Sequence, residues 1–277
     1  MDALIRQLQA VVDQAIRDGS RIGYFASLYT RITVALRGAI AAGIFDDGAA
    51  VVRLDLAFAR RYLGAIDCYQ RGDSGISPPW AVALGVVNRS DLSVVQQMAL
   101  AMNAHINFDL GMAAFDCFGA RDLWGARGDF ERVNNVLESV VAEVEREIAR
   151  VSPILRIVGG VSPTFATWLI DFGLVGAREL AWRFAATLAG ARDDAARGTL
   201  VDRHAHDVAS LCGAITQDRI RNVSFRLIAS IEEKDVRRVI RTFDRGLPPE
   251  IARGSAGGAA GGGIGHPVPG PARPPTQ

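Results

Sequence analysis

His105 and Asp109 are the pair in this chain whose residue types and spacing best suit chemistry. They lie in the run Met98–Gly111, MALAMNAHINFDLG, an apolar stretch of helix length that also holds Asn103 and Asn107. Four positions apart on a helix, a histidine and an aspartate meet on one face. The acid can then fix the imidazole tautomer and raise its basicity, while the other ring nitrogen faces a ligand. We expect His105 as the base and Asp109 as its orienting partner. Tyr29, Asp55, Asn107, Asp129 and Asn134 are expected as substrate-binding groups around them. Polar groups enclosed by apolar helices need partners, because leaving them unpaired costs several kcal/mol.

Two other readings use the same residues. In the first, His105, Asn103, Asn107, Asp109, Asp129 and Asn134 form a satisfied network that only sets helix register, and the protein is a non-enzymatic scaffold. In the second, His105 and Asp109 ligate an ion and the protein is a metal-dependent hydrolase. The chain has only four histidines, and His266 lies in a Gly/Pro-rich end. His204 and His206, two apart on a helix, point about 200° away from each other and cannot share an ion. No residue is therefore assigned to a metal. No G-x-S-x-G elbow is present, and Cys68, Cys117 and Cys212 sit in apolar helical settings, so covalent catalysis is disfavoured. Without a G-x-x-x-x-G-K-[ST] or G-x-G-x-x-G motif, no nucleotide cofactor is indicated, and no other cofactor can be named.

Composition narrows the setting. The formal net charge of +1 sets up no field for nucleic acid or acidic lipid. Lys234 is the sole lysine, and the arginine excess reads as codon usage rather than phosphate recognition. The three cysteines are scattered, with no CxxC pair, which suits a reducing compartment. The opening MDALIRQLQAVVDQAIRD is an amphipathic helix carrying acids, not a leader peptide. No uncharged apolar run reaches membrane-spanning length. A cytoplasmic location is expected, with a small-molecule ligand, no nucleic acid and no membrane span; oligomeric state is not indicated.

The elements that must position these groups read as helices throughout. Apolar spacing of three and four predicts helices at about 2–18, 22–42, 49–71 and a short one from Trp80, the tandem prolines before it suiting a first turn. Asp91 is the expected N-cap of a central helix reaching Phe115, and Asp129 the expected cap of the next, which ends at Ser152-Pro153. Apolar residues lie all round the central helix, the mark of one enclosed by others. Asp55 shares a face with Phe58, Tyr62, Ile66 and Tyr69, and an arginine partner is expected for it there. Glu138, Glu143, Glu145, Arg146, Glu147 and Arg150 read as a solvated face, and 232–238 as exposed turns. Gly159–Pro163 reads as a connector, followed by helices at about 164–174, 177–191, 199–216 and 217–244. The four tryptophans and four tyrosines are scattered and read as core or pocket wall, not a base-stacking platform. The expected fold is one all-α domain, 1–247, of about eight or nine helices around a buried central one. The Gly/Pro-rich residues 248–277 are expected as a disordered tail.

The stretch MNAHINFDLG also resembles an uncharacterised bacterial family, domain of unknown function 5995, whose signature runs close to G-M-N-A-H-I-N-x-D-L-G. YFASLYTRIT at Tyr24–Thr33, LDLAFARRYLGA at Leu54–Ala65, DFERVN at Asp129–Asn134 and AREL-AW at Ala177–Trp182 carry the same likeness, over about 24–243. Ala101 stands where the signature has glycine. The resemblance implies an all-helical fold and brings no established activity with it. The expected function is a cytoplasmic enzyme or small-molecule-binding protein, with a His/Asp/Asn polar centre in an apolar pocket.

Overall fold

Helix ends in the computed structural model follow local capping chemistry. It describes residues 1–152, 174–217 and 229–253. α1 (Asp2–Asp18) ends where Gly19 turns left-handed and the amide of Ser20 reaches back to the Ala15 carbonyl. α2 (Ile22–Ala41) leads through the Asp46-Asp47 turn to α3 (Gly48–Arg71), whose N-cap Asp47 accepts from the Ala50 amide at 2.9 Å. α4 (Pro78–Gly85) starts on its two prolines, which have no amide hydrogen to satisfy. α5 (Val94–Met102) is capped not by Asp91 but by Ser93, which forms a reciprocal capping box with Gln96. The side chain of Asp91 is engaged by Arg89 instead.

The helix then widens. Asn103–Asp109 is a π-helical segment, and α6 (Leu110–Asp122) resumes the ordinary ladder, with a sharp break at Gly119 (φ 57°). α7 (Arg127–Val151) begins two residues before Asp129, which lies in its first turn rather than at its cap. Next come α8 (Leu174–Ala189), α9 (Asp194–Gln217) and α10 (Val236–Phe243), the last capped by Asp235. Among the described residues there are eleven α-helices and the π segment, and no strand. The chain divides into two compact units, Met1–Gly246 and Leu247–Gln277. Of the second, residues 249–253 form the short helix α11 (Pro249–Arg253), where the sequence reading placed disorder. The proposed connector at 159–163, the helix at 164–174 except its last residue, positions 218–228 and the tail beyond 253 lie outside the described residues. No helix among the described residues is long and apolar enough to cross a membrane.

The π segment is the hub of the first unit. α3, α4, α8 and α9 all pack on it, in addition to α5 and α6, its own continuations. α6 and α8 come close because Gly111 has no side chain: a Cβ there would stand 2.6 Å from the Ala181 carbonyl oxygen. Two acids assigned to exposed surface are core residues. Glu147 is 2 % exposed and pairs with Arg31 and Arg245, tying α7 to α2. Glu232 is buried and accepts from the Val94 amide at 2.9 Å, satisfying a donor in the first turn of α5. In both cases a long-range partner, not the local charge pattern, decides which way the side chain points.

Candidate functional site

His105 is enclosed by aromatic rings from three other helices. Phe58 of α3 lies parallel to it with ring centroids 3.5 Å apart, and Tyr29 of α2 meets it edge-on at 4.7 Å. Phe25, Tyr62 and Trp80 complete the ring cage at 5.6, 5.7 and 6.1 Å. Nδ1 of His105 lies 3.4 Å from Oδ2 of Asp109, a long contact, and Trp80 Nε1 donates to the same oxygen at 2.8 Å. With Nδ1–H donating to Asp109, Nε2 carries the lone pair. That atom is buried and has no partner. Burial lowers the imidazole pKa, and the bond to Asp109 only partly offsets this, so the ring is neutral at pH 7.

Beside the ring lies a narrow cavity. Its empty space is about 900 Å³, including its opening to solvent. The walls are Phe25, Leu28, Ile32 and Leu36 of α2, Val51, Leu54 and Phe58 of α3, and Val133, Leu137 and Val144 of α7. Met102, Ile106 and Leu110 close it from the central helix. Four polar side chains interrupt this lining: Tyr29, Asp55, His105 and Arg178. The Tyr29 hydroxyl and Asp55 Oδ2 are, like His105 Nε2, buried without a partner. Burial drives the Asp55 carboxyl up to about 7, with a small opposing pull from the amino terminus; no arginine is placed against it among the described residues. Burial, with neighbouring Asp55 and Asp109 adding to it, raises the Tyr29 phenol well above its ordinary value, so it stays a hydroxyl donor.

The model of a family of unknown function, DUF5995, matches residues 1–218 of the 277. The chain belongs to that family. The match begins at Met1, ahead of the likeness read from the sequence, and ends before Phe243. No curated protein and no solved structure matches the chain. The cavity, π segment and aromatic cage of this DUF5995 chain therefore have to be read from their own chemistry.

The remaining sequence-chosen residues of the DUF5995 chain stand apart from the cavity lining. Asn107 donates to Asn103 Oδ1 at 2.7 Å, and its carbonyl receives His204 Nε2 at 2.6 Å. Asn103 in turn donates to the Val208 carbonyl and to Cys212 Sγ, fastening the π segment to α9. Asp129 accepts the Asp46 and Asp47 amides at 2.9 and 2.7 Å and pairs with Arg132, which anchors the turn before α3. These bonds hold its pKa below the ordinary value against the upward push of burial, the largest single influence on it. Asn134 accepts from Arg178 Nε at 2.6 Å and so touches the site through a lining residue. His204 stacks on Phe184 and His206 is exposed; among the described residues no group of three or more His, Cys, Asp or Glu is placed to hold a metal ion.

Three residues of the site were not picked out from the sequence. Trp80 is the second donor to Asp109, and Phe58 is the flat lid on the imidazole. Arg178 lines the cavity at 6 % exposure. One signal for it was available: with Ala181, Trp182 and Ala185 it falls at i, i+3, i+4 and i+7, the inward stripe of α8.

Proposed function

We propose that this protein binds a slender, mostly apolar small molecule in the cavity, with His105 Nε2 as the acceptor, or base, that meets its polar group. In this reading Asp109 orients the imidazole, and Tyr29 and Asp55 are further ligand contacts. The reading rests on one observation: three buried polar atoms without partners, from three different residues, belong to side chains that line a single apolar hollow. A structural network would have satisfied them, since each orphan costs stability. By contrast, Asn103, Asn107 and Asp129 are bound into packing contacts, and in this proposal they hold the elements rather than touch the ligand. A neutral imidazole and a carboxyl drawn towards pH 7 are also the states suited to proton transfer at neutral pH. The wide π turn that carries His105 fits the frequent placement of such turns at functional positions.

Calorimetric titration with a straight-chain alcohol such as decanol tests the proposal. Native protein should bind it, and Leu137→Trp, which fills the cavity, should abolish binding. Tyr29→Phe should weaken binding while leaving stability equal or higher, because it deletes an unpaired buried hydroxyl. A Tyr29→Phe protein that is clearly destabilised, together with no alcohol binding by the native chain, would leave the scaffold reading in possession of the site.

A further inference from the structure

Arg178 is a buried cation with no acid beside it. Its Nε donates to Asn134 Oδ1 at 2.6 Å, its Nη2 donates to the Phe130 carbonyl at 2.7 Å, and the guanidinium lies over the Phe130 ring at 4.3 Å. Both acceptors are neutral. Arg31 and Arg127, the other guanidinium groups bridging helices near α7, each pair with carboxylates. Arg178 has no such partner among the described residues, although it is more deeply buried than Arg127. Burial pulls its pKa down to about 9, which still leaves it charged at neutral pH. A buried charge of this kind is costly unless an anion arrives to meet it.

The cavity supplies the place for that anion. Tyr29 and His105 are neutral there, and Asp55 is near half protonation at pH 7, so Arg178 is the one fixed full charge on the lining. Its contacts are with α7, whereas those of His105 are with α2, α3 and α4, so the cation and the imidazole belong to different walls. The rest of the lining is apolar, aliphatic side chains together with Phe25 and Phe58.

We infer that Arg178 receives the carboxylate of a slender aliphatic acid, whose chain lies along the apolar walls beside His105. This rests on the proposed binding reading and narrows it to a ligand class. The guanidinium fork suits a carboxylate, and a charge-assisted bond out of reach of water is strong.

The test compares decanoate, decanol and inorganic phosphate on the full chain, by calorimetry and by thermal shift. The inference expects decanoate to bind at least about tenfold more tightly than decanol, the difference one charge-assisted bond supplies. Arg178→Met should remove that preference; Arg178→Lys, which keeps the charge, should retain part of it and serves if the methionine variant does not fold. Equal affinity of native protein for decanoate and decanol overturns the inference while the cavity reading stands. Binding of neither overturns both. Phosphate binding as tightly as decanoate would also overturn it, since the apolar chain would then contribute nothing.

Discussion

Replacing Asp55 by asparagine should change how stability depends on pH. The carboxyl is 6 % exposed and its folded-state pKa is about 7, against an ordinary 3.8. Between those values the folded chain holds a proton that the unfolded chain has released. Native stability therefore falls as pH rises from about 4 to about 7, and then levels off. At about 1.4 kcal/mol per pH unit the interval amounts to about 4 kcal/mol, a large share of the 5–15 kcal/mol typical of a domain. Asparagine has nearly the same shape and carries no charge at any pH, so its variant lacks this loss. Urea unfolding of both proteins at pH 5, 6, 7 and 8 should give a gap in favour of Asp55→Asn that widens with pH and is constant above about pH 7.5. Parallel curves would refute the reasoning, because they would mean that Asp55 ionises in the folded chain at its usual pH and is not enclosed as described.

Other outcomes can be checked with the same assay. Gly111→Ala should cost about 1–3 kcal/mol, because the new methyl meets a carbonyl oxygen on α8 at 2.6 Å; unchanged stability would show that α6 and α8 can part freely. Asp129→Ala frees the Asp46 and Asp47 amides and should cost about 2 kcal/mol without altering decanol affinity, and a loss of affinity would place Asp129 at the ligand instead. Trp80→Phe takes a donor from buried Asp109 and should cost about 1.5–3 kcal/mol; no loss in urea unfolding would mean that the Trp80–Asp109 bond contributes nothing to the fold.

The sequence carried the meeting of His105 with Asp109, because spacing on one helix is local information. It also carried the inward face of Asp55 and Tyr62, and the C-terminal ends of α1 and α3 at Asp18 and Arg71, for the same reason. It could not carry the π turn at Asn103–Asp109, since nothing in residue type marks a helix that takes up one extra residue under the packing of its neighbours. Ser93 displaced Asp91 as a cap because Gln96, three positions on, closes a reciprocal pair that Asp91 lacks. Glu147 and Glu232 were misplaced on the surface because their partners, Arg31, Arg245 and the Val94 amide, are all more than ninety positions away. Arg178 was overlooked for a related reason: one charge on an apolar stripe gains meaning only once the hollow beside it is seen.

The extra residue accommodated in the π turn makes the central rod sensitive to length rather than to composition. Deleting one residue at Leu110, beyond the turn that has already absorbed the extra one, would rotate everything downstream by about 100°. Gly111 would then swing away from Ala181 while the histidine kept its acid, with every remaining side chain unaltered.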